Sequence, residues 1–244
     1  TGGKIESGKA GNGNWSYNGG LTWRSPELEL NDIGFLRQAD EISQYTNVQY
    51  QTLKPFGVFR KINVRLNQST GYDFDENFNR LQFRLNTSVE FKNNWGADIG
   101  LIGRPRSYSN TALRGGPRFR YSEEFVNWVY VGTDSRKKLR FILGSVISKS
   151  KQDHESYFRL ETTISYQPTN ALNISLNPEF SINKNKTQYV SERSFNNDAR
   201  YITAAIDNHT LSASFRINYS IIQIYPFNTM LSHLCQEEPI IILI

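Results

Sequence analysis

The sequence predicts an all-β protein folded as an antiparallel transmembrane β-barrel, and three observations lead there. Side chains alternate oily and polar with a period of two down almost the whole chain. Many alternating segments are longer than strands of soluble sandwiches, which usually have about five or six residues, and reach the roughly 9–11 that a tilted membrane strand needs. Their polar faces also carry charges, which suits a wet lumen and not a packed interior.

The clearest segment runs from Arg80 to Phe91. Its odd positions read Leu81, Phe83, Leu85, Thr87, Val89, Phe91 and its even ones Arg80, Gln82, Arg84, Asn86, Ser88, Glu90. Successive strand side chains point to opposite faces, so one face is oily and the other polar throughout. Leu172, Ile174, Leu176, Phe180, Ile182 stand against Asn173, Ser175, Asn177, Glu179, Ser181 in the same way. So do Phe158, Leu160, Thr162, Ile164, Tyr166 against Arg159, Glu161, Thr163, Ser165, and Leu211, Ala213, Phe215, Ile217, Tyr219 against Ser212, Ser214, Arg216, Asn218, Ser220. Less regular versions cover about 15–23, 44–52, 59–74, 95–102, 125–132, 138–147 and 200–206, for about a dozen strands and no helical period. A lipid-facing Arg or Lys at the bilayer midplane costs roughly 2–4 kcal/mol, and none of these oily faces holds one.

The connections alternate in length. Tight turns are expected at Phe91-Lys92-Asn93-Asn94-Trp95 and Gln167-Pro168-Thr169-Asn170, and long polar links at 24–42, 103–118, 148–155 and 184–199, with a further strand beginning near Tyr189 and Val190 as an alternative reading of the last. Trp15, Tyr17, Trp23, Trp95, Trp128, Tyr130, Tyr166 and Tyr219 lie at or near strand ends and read as interfacial aromatic girdles.

Composition narrows the function classes. The 244 residues suffice for one large all-β domain; aromatics make up 13%, the mean hydropathy is −0.55 and the net charge +5. No apolar run is long enough for a membrane-spanning helix, which leaves a barrel open because only alternate residues meet lipid. The Lys and Arg are interleaved with Asp and Glu along the chain, so nucleic acid is not an expected partner. The single cysteine, Cys235, excludes an internal disulfide and any multi-cysteine metal site. His154, His209 and His233 are scattered without ligand spacing, and no cofactor is expected. Asp40-Glu41, Asp73-Asp75-Glu76 and Glu123-Glu124 resemble paired carboxylates of a glycosidase but read more simply as turn and loop residues. Gly11-Asn12-Gly13 and Gly19-Gly20 open no helix and are not phosphate loops. The one candidate ligand site is a basic stretch of Arg104, Arg106, Arg114, Arg118 and Arg120, able to meet anionic sugar or lipopolysaccharide or simply hydrated.

Several motifs resemble a known family: Arg24-Ser25-Pro26, the run from Asn31 to Glu41 (NDIGFLRQADE), Leu53-Lys54-Pro55-Phe56-Gly57, Thr111-Ala112-Leu113-Arg114-Gly115-Gly116-Pro117 and Asp134-Ser135-Arg136-Lys137-Lys138. They are similar, in order from about Trp15 to Ile221, to large uncharacterised outer-membrane proteins of Bacteroidetes. Members of that family carry an N-terminal β-sandwich like carbohydrate-binding module family nine and a long C-terminal barrel domain of unknown function. The resemblance implies a bacterial outer-membrane location, outer-membrane lipid as the partner, a C-terminal barrel portion here and glycans met through a module outside this chain. It supplies no catalytic residues, and an enzyme is not expected. The rival readings are a surface glycoside hydrolase using loop carboxylates and a soluble sugar-binding β-sandwich.

Residues 1–221 form the expected barrel portion, and 222–244 read as an aberrant tail. The only Met (Met230), the only Cys and a dense run of Ile occur there, and alternation stops. A one-nucleotide slip of the coding frame near Ile221–Ile222 accounts for this. With permitted codons, the restored frame opens with an Asn-Pro-Asn turn and continues as an alternating, aromatic-rich strand similar to the family's.

Overall fold

The computed structural model describes residues 1–11, 13–28, 39–151 and 154–220. The tail at 222–244, expected to be out of frame, lies outside the described residues, as do residues 29–38 of the first long link. The described chain forms β1 (Gly2–Lys9), β2 (Trp15–Arg24), β3 (Glu41–Gln51), β4 (Phe59–Tyr72), β5 (Phe78–Phe91) and β6 (Gly96–Ser109). It continues with β7 (Phe119–Tyr121), β8 (Glu124–Gly132), β9 (Leu139–Ser150), β10 (Glu155–Thr169), β11 (Leu172–Phe195) and β12 (Asp198–Tyr219). All twelve belong to one antiparallel sheet. Each strand pairs with the next, except that β8 follows β6 and the short β7 lies alongside β6 at its end. The sheet is open, with β1 and β12 as its edges.

The register keeps one set of side chains on one face across the whole path. Directly opposed residues share a face. Tyr17 opposes Val48, Val48 opposes Leu66, Leu66 opposes Leu85 and Leu85 opposes Leu101. Farther along, Ile147 opposes Phe158 and Phe158 opposes Ile182. On the other face Asn47 meets Asn67 and Asn67 meets Arg84, while Asp98 meets Tyr130 and Arg159 meets Ser181. Charged residues on the oily face stand near strand ends, as do Lys9, Arg106 and Lys149, or level with the start of β10, beyond which β11 and β12 project, as do Lys184 and Asp207, which pair with each other. The polar face carries more of them, among them Arg65, Arg84, Asp98, Arg159, Glu161 and Arg216.

The polar face is the concave one. A single pocket is lined from β6, β8, β9, β10 and β11 together, and the Tyr130 hydroxyl of β8 reaches Glu161 and Arg159 of β10 across β9. Glycines make these crossings possible. Trp128 lies flat over Gly100 and Tyr130 over Gly144, where any Cβ would collide with the ring. No second layer packs on the sheet among the described residues, and only Ile102 (5% exposed) and Leu113 (9%) are buried apolar side chains.

Turns explain where strands end. At the end holding the turns after β1, β3, β5, β8 and β10, every connection is short, from residues 170–171 up to 52–58. In the turn after β5, Asn94 takes a positive φ of 65°, which Asn tolerates better than most residues. In the turn after β8, Asp134 accepts bonds from the Arg136 backbone N–H at 3.0 Å and its guanidinium at 3.0 and 2.9 Å. Those bonds hold the Asp134 carboxyl below the usual carboxylate range. A depressed native pKa contributes stability that is complete above the unfolded carboxylate value, about 4, and drains away as pH falls toward the native one. The stability advantage of the native chain over Asp134→Asn is therefore expected to shrink between about pH 5 and pH 2. Urea unfolding midpoints across that window check it; a constant difference contradicts it.

Three expectations change. The link at 184–199 is mostly strand, since β11 runs to Phe195 and β12 starts at Asp198, and the first part of the link at 103–118 belongs to β6, which runs to Ser109. Asn196 and Asn197, both at positive φ (51° and 64°), make the two-residue turn that such a hairpin favours. The segments at 200–206 and 211–220 are accordingly one strand, and 148–155 shrinks to a short link between β9 and β10. Trp128 and Tyr130 are not girdle residues, since both point to the polar face. Trp15, Tyr17, Trp95, Tyr166 and Tyr219 remain exposed at the short-turn end.

Candidate functional site

The pocket lies at the end of the sheet opposite the short turns, and its volume of about 430 Å³ falls in the small-molecule range. Its floor comes from the concave face. Arg104 of β6 and Glu124 of β8 are cross-strand partners and form an ion pair. Arg104 also donates to Gln82 Oε1 at 2.9 Å, and Ser148 donates to Glu124 at 2.7 Å. Both charges are thus committed to each other and to neutral neighbours.

Glu155 opens β10 on the same face. Its backbone is fixed by Ser150, whose Oγ accepts from the Glu155 N–H at 2.6 Å and donates to its carbonyl at 2.9 Å. Its carboxylate accepts one long bond, from Asn185 Nδ2 at 3.4 Å. The Asn185 amide is itself held by Thr187, whose N–H and hydroxyl donate to its Oδ1 at 2.7 and 2.9 Å. Among the described residues Glu155 therefore has no cationic partner in direct contact. Ser122 and the His154 ring pair at 2.7 Å on the rim.

Aromatic faces supply the walls. Phe119 and Tyr121 of β7 meet edge to face at 5.1 Å. Burial raises the Tyr121 hydroxyl pKa, the Glu155 charge adds to the rise, and a bond with Ser109 opposes it. Tyr189, on the part of β11 that projects past β10, carries the Arg114 guanidinium over its ring at 5.6 Å. Gly116 lies so close to Tyr201 of β12 that a Cβ would press on the ring. The link between β6 and β8 thus bends over the concave side to meet the β11–β12 hairpin.

The five arginines of the basic stretch do not converge. Arg104 and Arg114 line the pocket. Arg106 lies over the Phe78 ring at 5.7 Å, and Arg118 lies over Tyr108 at 4.4 Å while donating to the Phe78 carbonyl and to Asn79. Arg120 is exposed on β7 opposite Tyr108. An anion-binding cluster needs unspent donors aimed at one point, and these side chains are dispersed. Glu155, Asn185 and Tyr189 lie within the stretches 148–155 and 184–199, which read from sequence as links, so none of them stands out there as a site residue.

The acidic pairs singled out from sequence are also spent locally. Glu41 bridges Arg24 and Arg80, each at 3.1 Å, and Asp40 accepts from the Phe74 N–H at 2.9 Å. Asp73 caps its own turn through Asn77 at 2.7 and 3.0 Å, and Glu123 pairs with Lys151 at 3.4 Å. Among the described residues no group of three or more His, Cys, Asp or Glu is placed to hold a metal ion.

No curated protein and no solved structure matches the chain. The family described as "Domain of unknown function (DUF5916)" matches residues 3–238, which is nearly the whole sequence, and the chain belongs to that family.

Proposed function

We propose that the chain is a wall of a bacterial outer-membrane β-barrel that works at the cell surface, as an anchor or conduit for glycan-related material. The observation that carries this is the pairing of a charged concave face with a convex face of exposed apolar side chains, including Leu66, Leu85, Ile147, Leu160, Phe180 and Phe215. In water, contiguous apolar surface of that extent drives association; in lipid it is the favourable side of the sheet. Closure of the edges β1 and β12, with each other or with further strands, completes the wall, since open edges do not persist in hydrocarbon. Barrels of this class place short turns in the periplasm and longer segments outside, so the pocket faces the exterior. The sequence resemblance adds the Bacteroidetes origin and a separate sugar-binding-like module as parts of this reading.

Catalysis is not part of it. The pocket brings together two carboxylates, Glu124 and Glu155, as a glycosidase would require. Glu124, however, is neutralised by Arg104, which leaves no positioned acid and base.

Expressed with its native export signal, the full-length protein is expected to fractionate with outer membranes and to migrate differently on gels with and without boiling. Recovery as a soluble monomer that needs no detergent would replace the barrel with a soluble sandwich.

A further inference from the structure

We infer that the pocket at the long-segment end binds an uncharged sugar, with Glu155 as its principal hydrogen-bond acceptor. This deepens the glycan reading above and rests on it for the pocket's exposure at the cell surface. Ligand class follows from what the lining has left unspent.

Glu155 offers about four lone-pair sites and receives one 3.4 Å bond, so the pocket requires a ligand rich in donors. A phosphate or carboxylate supplies acceptors instead and would face the Glu155 charge. Of the arginines lining the pocket, Arg104 is engaged by Glu124 and Gln82, while the Arg114 guanidinium lies over the Tyr189 ring and keeps N–H donors that neutral oxygens can use. A bare divalent cation needs more oxygen ligands than this site converges. A cationic ligand would suit Glu155 alone but would meet both arginines.

Hydroxyl groups fit. They donate to Glu155 and accept from the Asn185 amide, which Thr187 fixes in place. Phe119, Tyr121 and Tyr189 line the same cavity with aromatic surface, against which the C–H faces of a sugar ring pack. The site is thus built from concave-face residues of the sheet below and from the β6–β8 link and the β11–β12 hairpin above.

The test uses the full-length protein in detergent micelles and isothermal titration with maltose, cellobiose, mannobiose and xylobiose, with glucuronate and inorganic phosphate as the anionic arms. At least one neutral disaccharide is expected to bind saturably, and the anions not at all. Glu155→Gln should weaken that binding about tenfold or more, the loss expected for one hydrogen bond to a charged acceptor. Tyr189→Ala, on the part of β11 that projects past β10, should weaken it as well and guards against a folding defect in the first variant. Lack of binding by all four disaccharides, preferential binding of an anion, or undiminished binding by both variants overturns the inference. The same preparation is tested for heat-dependent gel migration, so loss of the barrel reading and loss of the sugar site are scored separately.

Discussion

Leu85→Arg is expected to abolish stable assembly in the outer membrane, whereas Ser88→Arg, three positions along the same strand, is expected to leave it almost unchanged. Leu85 lies on the convex face between Leu66 and Leu101, well away from the strand ends where that face tolerates charge. An arginine there costs roughly 2–4 kcal/mol near the bilayer midplane, a large share of a marginal stability of about 5–15 kcal/mol. Ser88 lies on the concave face between Asn63 and Asp98, with Asn86 and Glu90 as its same-face neighbours on β5. A cation at that position meets carboxylates and water. Gln82, another polar-face position on β5, would be a poor control because it accepts from Arg104 at 2.9 Å. Quantifying heat-modifiable protein in outer-membrane fractions decides the matter. Equal loss from both substitutions would mean that the two faces do not meet different solvents.

The faces were legible in the sequence because the signal is strict where each strand has one oily and one polar side. From Leu81 to Phe91 and from Leu172 to Ile182 the observed register puts every quoted oily residue on the convex face. Where that contrast weakens, the sequence misleads. In β8 the concave positions include Val126, Trp128 and Tyr130, and the convex ones are Phe125, Asn127, Val129 and Val131, so periodicity does not separate them. Trp128 and Tyr130 read as girdle residues from sequence because position along a strand says nothing of side. β1 was overlooked because its sequence, GGKIESGK, has one large apolar residue, Ile5; pairing with β2 makes it a strand. Beyond Asn185, β11 leaves β10; Thr187, Tyr189 and Ser191 stay half-buried, and Lys186, Gln188 and Val190 alternate with them fully exposed. Polar side chains on both sides imitate a loop, and the two-residue Asn turn is what reveals the hairpin. The pocket was illegible for a related reason: its members come from six strands and the links between them, and chain position does not bring Arg104, Glu124, Glu155 and Asn185 together. The arginine run drew attention by composition, while the structure commits most of those guanidiniums to neighbours.

Gly100→Ala is expected to destabilise the barrel by about 1–3 kcal/mol, the usual cost of forcing atoms into filled space, and to do so only while Trp128 is present. The Trp128 indole covers Gly100 so closely that a methyl group there would overlap the ring. Swinging the indole aside is costly because it is held at both ends. Its Nε1–H donates to Asp98 at 2.8 Å, and the Arg84 guanidinium lies over the ring at 5.5 Å. Asp98 also accepts from Asn86 at 3.0 Å, so displacement of the indole disturbs a network reaching from β5 to β8. With Trp128→Ala the overlap vanishes, and the intrinsic preference of a strand for alanine over glycine, roughly 0.5–1 kcal/mol, should make Gly100→Ala neutral or stabilising. The double-mutant cycle, read from urea unfolding midpoints in micelles, should therefore give a coupling above about 1 kcal/mol. The same cost in both backgrounds would show that the ring and the glycine are not matched, and that the close crossing of the concave face depends on other contacts. Tyr130 over Gly144 repeats the arrangement one step along the sheet, with Glu161 and Arg159 gripping the hydroxyl. The strands that floor the pocket are thereby locked from inside by aromatic side chains, in a wall that has almost no buried apolar core to do so.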